Sequence, residues 1–172
     1  KYYVIPSRNP KVNMLCASAF TAYDCTRIFA FRNRCYRWGH FIEVDCKRNP
    51  NIFMKEKRER NGDLGYIKIL WVGRLLELKH PEMAIMLAKK LSELSIPFKI
   101  DIIGIGPLEK KIKKLITNFN LNDKVQMLGS LSPKEVRDEM EKSDIFIFTS
   151  NHKEGWGAVL GEAMASGCAV VA

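Results

Sequence analysis

The sequence predicts an α/β protein, in which a Rossmann-like parallel sheet carries helices on both faces and follows a remnant of another domain. Two observations predict the sheet. From Ile67 onward, short apolar runs alternate with amphipathic stretches of helical period, and turn residues separate them. The first run, residues 67–72, is apolar apart from Lys68, as in strands that are buried on both faces. Strands that alternate with helices in this way form parallel sheets, because each crossover helix packs on a face of the sheet.

Each element of the sheet domain has a local signal. Pro81 suits the first turn of a helix, and apolar residues such as Met83 and Leu87 follow it at helical spacing. Ser132 and Glu135 form the capping-box pattern of another helix start. In order, the sequence predicts a strand at 67–72, a helix from 81, a strand at 98–103, a helix at 108–119, a strand at 125–128, a helix from 132, a strand at 145–148, a helix at 157–167 and a strand from 170.

The first third of the chain is predicted to lie outside this sheet. Residues 12–17 favour a strand and residues 22–31 a helix, and we interpret residues 1–45 as the end of an N-terminal domain. Residues 46–66 combine Asn-Pro-Asn, a charge cluster and Asn-Gly-Asp, which is typical of an inter-domain linker. The chain starts without Met and stops within a strand pattern, so we expect a fragment in which residues 67–172 form a truncated domain.

Composition narrows the function classes. A chain of 172 residues with 47% hydrophobic content can bury a core, and no apolar run approaches the roughly 20 residues of a transmembrane helix. The net charge of +9 is concentrated in residues 1–66, which hold thirteen basic and six acidic side chains. An anionic membrane surface, a phosphorylated acceptor or a solvated surface could each explain this excess. In residues 55–60 the interleaved acids favour a solvated linker, and nucleic acid is not expected because its usual binding motifs do not occur.

Neither the cysteines nor the histidines have the spacing of a metal site. The five cysteines are Cys16, Cys25, Cys35, Cys46 and Cys168. They are widely spaced and odd in number, which favours inert, reduced thiols and a cytoplasmic protein. The three histidines are isolated along the chain. We therefore expect no metal at the functional site, and no other cofactor is expected there.

The last twenty residues carry the strongest functional pattern. Glu154 and Glu162 lie on either side of Gly155, Trp156 and Gly157, and a helix of small residues begins after this turn. Glycine lets backbone amides approach a phosphate, and a helix N-terminus favours an anion. Carboxylates only accept hydrogen bonds, so they suit sugar hydroxyls rather than phosphate. The pattern therefore predicts a nucleotide-sugar site.

Other candidate residues are predicted at the same edge of the sheet, since ligands of such sheets bind beyond the carboxyl ends of the strands. The loops there are residues 73–79, 104–107, 129–131 and 149–157. Arg74 and Lys79 could neutralise a diphosphate, although two such cations alone would favour an interpretation as surface charge. Gly104 and Gly106 could let the backbone approach the nucleotide, and Leu131 could line its base.

Four blocks of the sequence, taken together, resemble the C-terminal, donor-binding domain of a family 4 glycosyltransferase. The blocks are residues 72–75 with Lys79, residues 103–107, residues 143–145 and residues 154–167. Enzymes of this family are retaining, have the GT-B fold and work without a catalytic metal. Residues 1–45 are also similar to the end of the acceptor-side domain in bacterial members that build surface polysaccharide.

The resemblance implies a role for each matching residue. Arg74 and Lys79 would hold the diphosphate, Glu162 the ribose and Glu154 the donor sugar, so that the two glutamates are not an acid–base pair. The resemblance also implies that Glu154, Arg74 and Lys79 form the catalytic set. The further donor-binding residues would be Gly73, Gly104, Gly106, Leu131, Gly155, Trp156 and Gly157. Two positions depart from the family pattern: Trp156 replaces another aromatic and is first interpreted as packing, and His80 replaces a common glycine.

The implied function is transfer of a sugar from a nucleoside diphosphate sugar to a hydroxyl of a glycan or lipid-linked acceptor. Such a protein would be cytoplasmic and could contact the inner face of the cell membrane peripherally. Two alternatives stay open from the sequence. One is a nucleotide-sugar epimerase or phosphorylase of the same fold, and the other is a non-catalytic subunit that binds a nucleotide sugar.

Overall fold

The computed structural model describes residues 4–18, 20–39, 50–151 and 154–172, and the chain divides into two compact units, residues 1–43 and residues 44–172. The elements of the first unit are α1 (Val4–Arg8), β1 (Met14–Cys16), α2 (Thr21–Arg27) and β2 (Cys35–Arg37). The strands β1 and β2 pair in parallel. The predicted strand and helix of this unit are both found. The helix α2 ends four residues earlier than predicted, because Phe29 and Phe31 have positive φ angles of 54° and 48°.

The second unit contains the predicted alternation of strands and helices. Its elements are α3 (Pro50–Leu64), β3 (Ile67–Val72), a 3₁₀ turn (Glu77–Lys79), α4 (Glu82–Glu93), β4 (Phe98–Ile103), α5 (Glu109–Asn118), β5 (Val125–Gly129), α6 (Pro133–Lys142), β6 (Ile145–Ile147), α7 (Ala158–Ala165) and β7 (Ala169–Val171). The capping box at the start of α6 is present, with the Glu135 amide donating to Ser132 Oγ over 3.3 Å. The other predicted boundaries agree with these to within a few residues.

The five strands of the second unit form one parallel sheet in the order β5-β4-β3-β6-β7. The chain first builds outward from β3 to β4 and β5, and then crosses back to place β6 and β7 on the other side of β3. The strand order therefore reverses between β3 and β6. Ligands of open α/β sheets bind at such a switch point, beyond the carboxyl ends of the strands.

Helices cover both faces of this sheet, as predicted. On one face, α4 and α5 pack on a core that includes Trp71, Ile85 and Ile112. On the other face, α6 and α7 pack on a smaller core around Leu70 and Phe146. The neighbouring residues Leu70 and Trp71 thus point to opposite cores, which is why strand β3 is apolar in the sequence apart from Lys68.

The segment 46–66, predicted as an inter-domain linker, is largely helical where the structure describes it. The helix α3 covers residues 50–64, and Lys57 within it is buried, with only 5% of its surface exposed. Its ammonium donates to the carbonyl oxygens of Met140 and Ser166, at the ends of α6 and α7. The solvated surface expected of residues 55–60 is therefore wrong at Lys57, because this side chain reaches acceptors that lie far away in the sequence.

Candidate functional site

A cleft of about 430 Å³ opens at the switch point between β3 and β6. It is lined by Val72, Gly73, Arg74, Leu78, Lys79, Glu154, Gly157, Ala158 and Val159. The lining comes from two segments: the end of β3 with the loop after it, and the loop from β6 with the first residues of α7. The structure thus brings together Arg74 and Lys79 with Glu154, although about 75 residues separate them along the chain.

Lys79 is held at the cleft by its own backbone. It ends a short 3₁₀ turn, and the carbonyl oxygen of Lys79 accepts a hydrogen bond from Thr149 Oγ1 over 2.5 Å. Trp71 Nε1 in turn donates to Thr149 Oγ1 over 2.9 Å. A buried residue of strand β3 therefore fixes the position of the lysine through one hydroxyl group.

Glu154 forms an ion pair with Lys79 inside the cleft. The side chains of the two residues are 21% and 19% exposed, so solvent screens the pair only in part. The hydrogen bond from Lys79 lowers the pKa of Glu154, with further bonds from Ser150 and the Gly155 amide, while partial burial opposes this effect. Glu154 is therefore a carboxylate at neutral pH, and its negative charge offsets one of the two cations of the cleft.

The two loops are also tied together beside this pair. The Asn151 amide donates to the carbonyl oxygen of Leu78 over 3.0 Å, and the Asn151 side chain lies 3.3 Å from His80 Nε2. His80 adopts a left-handed conformation with φ of 45° and contacts Glu82 through Nδ1 at 3.2 Å. This conformation favours glycine, and the contacts with Asn151 and Glu82 give a physical reason for histidine here.

Arg74 and Glu162 differ from this tied pair. The Arg74 side chain is exposed at the rim of the cleft, and Glu162 is half-buried on the second turn of α7. Within the described part of the chain, neither side chain forms a hydrogen bond or an ion pair with another residue. Both are therefore charged groups whose hydrogen-bonding capacity the described protein does not use.

The helix α7 begins at the cleft with Gly157. This residue has φ of 67°, and a Cβ atom there would lie 2.7 Å from the ring of Phe148. Glycine therefore lets the chain turn tightly over Phe148 and bring Ala158 and Val159 to the cleft wall. The first amides of a helix lack partners within it, so this end of α7 can attract an anion.

Other predicted residues lie outside the cleft lining. They are Gly104, Gly106, Leu131, Gly155, Trp156 and Glu162. Their donor contacts stay predictions, and Trp156, first interpreted as packing, is a residue with 44% of its surface exposed. Leu131 packs, partly buried, against the core beneath α6 and α7.

Gly104 and Gly106 have a role within the protein itself. A Cβ atom on Gly104 would collide with the carbonyl oxygen of Gly73, and one on Gly106 would lie 2.6 Å from that of Leu75. The loops after β3 and β4 therefore run in backbone contact, and the Leu75 amide donates to Ile105 across them over 3.0 Å. This packing supports the loop that carries Arg74.

Several residues at the site had no motif to signal them. Leu78, Ala158 and Val159 line the cleft, while Thr149 and Asn151 hold its two loops together. The available signal was position alone, because all but Ala158 and Val159 lie in loops predicted at the carboxyl ends of strands. His152 and Lys153, which belong to one of these loops, lie outside the described residues.

Among the residues that the structure describes, no helix combines the length and the apolar character needed to span a membrane. The same residues contain no group of three or more His, Cys, Asp or Glu side chains arranged to hold a metal ion. The absence of a metal from the reaction therefore stays a prediction from the sequence.

Comparison with known proteins identifies the family. The family model described as glycosyl transferases group 1 matches residues 53–172. WcaL of Escherichia coli K12, named as a colanic acid biosynthesis glycosyltransferase, is 36% identical over 110 residues, which are 61% of this chain and 27% of that protein. The chain thus spans about a quarter of the length of such relatives.

Solved structures of glycosyltransferases share the fold. TarM of S. aureus, in a complex that includes UDP, matches with a TM-score of 0.72 and 22% identity, covering 96% of this chain and 31% of its own. HepE of Anabaena, in complex with UDP-glucose, matches with a TM-score of 0.72 and 16% identity, covering 96% and 45%. The Rossmann-like fold is thus that of GT-B proteins. The family model matches more than half of the length of this chain, and the chain therefore belongs to the group 1 glycosyl transferases.

Proposed function

We propose that the chain binds a nucleoside diphosphate sugar in the cleft and is the donor-binding part of a retaining glycosyltransferase. The sugar would pass to a hydroxyl of a glycan or lipid-linked acceptor. The name of WcaL, which refers to colanic acid biosynthesis, supports an acceptor of the surface-polysaccharide type. The complexes of TarM with UDP and of HepE with UDP-glucose support the class of donor.

The observation that carries the proposal is that cations, helix amides and a carboxylate lie together at one switch point. Arg74 and Lys79 supply cations from the loop after β3, and the N-terminus of α7 adds backbone amides from the other side. A diphosphate requires cations and amide donors of this kind. Glu154 lies beside them and supplies an acceptor for sugar hydroxyls.

These charges also suit the chemistry of transfer. As the bond between the anomeric carbon and the diphosphate oxygen breaks, its electron pair stays on the oxygen, and Arg74 and Lys79 stabilise the negative charge that develops there. Because Lys79 lowers the pKa of Glu154, this carboxylate does not serve as a proton donor at neutral pH. It instead stabilises positive charge on the sugar ring electrostatically. The acceptor oxygen forms the new bond to the anomeric carbon on the same face, and the departing diphosphate accepts its proton, so retention needs no separate enzyme base.

Titration calorimetry of the full-length protein tests this function. A panel of UDP-, GDP- and ADP-linked hexoses is expected to contain a ligand that binds in the presence of EDTA, since no metal ligand set is proposed. Transfer of the labelled sugar to a lipid-linked or glycan acceptor would then identify the reaction. A protein that binds none of these donors would contradict the proposal.

The ribose role of Glu162 has its own test. Glu162→Ala should weaken binding of the donor by about 10- to 100-fold, because an anionic acceptor for two hydroxyl groups is lost. Calorimetry on the full-length variant measures the change. An unchanged donor affinity would remove Glu162 from the site.

The cellular setting belongs to the same proposal. We expect a cytoplasmic protein that meets its acceptor at the inner face of the membrane, with the basic first third of the chain facing anionic lipid. Co-sedimentation with vesicles of phosphatidylglycerol, compared with neutral phosphatidylcholine vesicles, measures that contact. Equal binding to the two would contradict the electrostatic part of this expectation.

A further inference from the structure

The ion pair of Lys79 and Glu154 lies where a donor is proposed to bind. The two residues face different needs in such a complex. Lys79 is expected to meet the diphosphate, whereas Glu154 is expected to meet hydroxyl groups of the sugar. In the structure, the Lys79 ammonium and the Glu154 carboxylate form an ion pair with each other.

Glu154 cannot easily swing away from an arriving phosphate. Its carboxylate is paired with the Lys79 ammonium, only 21% of the side chain is exposed, and Ser150 and the backbone amide of Gly155 help to lower its pKa. The amide of Glu154 is itself bonded to the carbonyl oxygen of Asn151 over 2.9 Å. The negative charge is therefore fixed next to the position proposed for the diphosphate.

A diphosphate that binds to Lys79 meets an opposing effect from this fixed charge. It competes with Glu154 for the ammonium, and it brings a second anion close to the carboxylate, which repels it. If the ammonium, with its three N–H donors, contacts both anions, the repulsion between them remains. The partly buried carboxylate also loses stabilisation when its cation is shared.

A sugar on the diphosphate offsets this effect, and a free diphosphate does not. Sugar hydroxyls can donate to Glu154 and replace the bonds that Lys79 withdraws. A free nucleoside diphosphate has no sugar beyond its diphosphate to supply such donors, and its terminal phosphate carries additional negative charge. The carboxylate should therefore oppose the product of transfer more than it opposes the substrate.

We propose that Glu154 is a specificity-determining residue that makes the cleft favour a nucleoside diphosphate sugar over the free nucleoside diphosphate. This inference rests on the function proposed above and adds to it a role in releasing the product. Replacing the carboxylate should then change the two affinities in opposite directions. A residue that only supports the fold would change both in the same direction.

Calorimetry on Glu154→Gln in the full-length protein tests the opposite signs, with UDP and UDP-glucose as probes, or with the matching pair found in the panel above. The free diphosphate should bind to Glu154→Gln about three- to tenfold more tightly than to the wild type, because Lys79 loses its competing partner and the carboxylate no longer repels the phosphate. The sugar donor should bind more weakly. Weaker or unchanged binding of the free diphosphate would overturn the proposal.

Glu162→Gln is the matched control. It also neutralises a glutamate of the same loop-and-helix segment, but Glu162 forms no ion pair with a described residue and is expected to meet the ribose, which both ligands contain. Its substitution should weaken both ligands by the same factor. If Glu162→Gln changes the ratio of the two affinities as much as Glu154→Gln does, the ratio does not depend on the Lys79 ion pair. That result would overturn the proposal.

A second variant guards against misfolding. Glu154→Ala removes the charge together with every hydrogen-bonding group, and it should also tighten binding of the free diphosphate. Melting temperatures of both variants report on folding, and loss of diphosphate affinity in a variant that melts like the wild type contradicts the inference. A wild-type protein that binds neither ligand would instead contradict the proposed function, so the two failures are distinguishable.

Discussion

Two lysines of the second unit have lost most of their contact with water in different ways. The ammonium of Lys57 donates to backbone carbonyls, that of Met140 over 3.2 Å and that of Ser166 over 2.9 Å. The ammonium of Lys79 is paired with the carboxylate of Glu154 at the wall of a cleft. The first lysine therefore meets partial charges of the fold, and the second meets a full charge on a side chain.

The difference between these partners distinguishes a cation that holds helices together from one that could contact a ligand, as proposed for Lys79. The carbonyls around Lys57 belong to the C-terminal ends of α6 and α7, where helices carry partial negative charge, and they cannot move without the helices. Burial lowers the pKa of Lys57, while Cys168 and Asp144 oppose this effect. A carboxylate such as Glu154 can instead give up its cation to an arriving anion. We therefore expect exchange of the partner to disrupt packing at Lys57 and to leave the fold unchanged at Lys79.

The largest expected effect is on stability at Lys57. Lys57→Met keeps a similar shape but removes the donor shared by two carbonyl groups. The carbonyl group of Met140 keeps bonds from the Ser143 amide and the Cys168 thiol, and we expect a loss of about 2–3 kcal/mol in unfolding free energy. Urea unfolding of the full-length protein, followed by hydrogen exchange at the C-terminal ends of α6 and α7, measures the loss. Lys55→Met is the control, because the side chain of Lys55 is 78% exposed. This substitution should change the unfolding free energy by less than about 0.5 kcal/mol. Equal losses would contradict the comparison.

These lysines also mark how far sequence reasoning reaches. The position of Lys79 at the edge of the sheet could be predicted, because it follows a strand whose apolar run indicates burial on both faces, and the carboxyl ends of such strands meet at one edge. The burial of Lys57 could not be predicted, because this residue lies among interleaved acids and bases in a helix without a clear apolar face. Its burial depends on where two helices end, more than 80 residues later. Local pattern therefore predicts the sheet and the loops, but not which charged side chain reaches a distant acceptor.

The second expected effect is on binding at Lys79. Lys79→Met removes the cation beside the proposed diphosphate and should weaken donor binding by about 10- to 100-fold. The melting temperature should change little, since Thr149 bonds to the backbone of residue 79 and not to its side chain. Calorimetry and thermal melting of the full-length protein give the two readouts. Lys90→Met, which alters an exposed pair with Glu93, is the control for charge alone. A large loss of stability without a loss of affinity would contradict a functional role for Lys79.

A third substitution tests whether Lys57 contributes to stability because of the type of its partner or because of its burial. Arg60 also donates to a helix-end carbonyl, that of Lys142 over 2.6 Å, but its side chain is 33% exposed and lies 3.7 Å from Asp144. Arg60→Met should therefore cost only about 1 kcal/mol in unfolding free energy, because water can replace the lost donor. The urea experiment described for Lys57 measures this too. A cost equal to that of Lys57→Met would show that the type of partner, and not burial, decides.

The smallest effect concerns pH and the pair of Lys79 and Glu154. Since Lys79 holds the pKa of Glu154 below its ordinary value of 4.5, the folded state binds fewer protons there than the unfolded state. The resulting stability is present above pH 4.5 and is lost as the pH falls through the lowered pKa. Partial exposure limits it to less than about 1 kcal/mol. A ¹³C NMR titration of the Glu154 carboxylate should show its pKa rising in Lys79→Met and staying low in Lys57→Met. A rise in both variants would mean that the lysine buried beneath the helices also sets the charge of the cleft, and the separation between the two cations would fail.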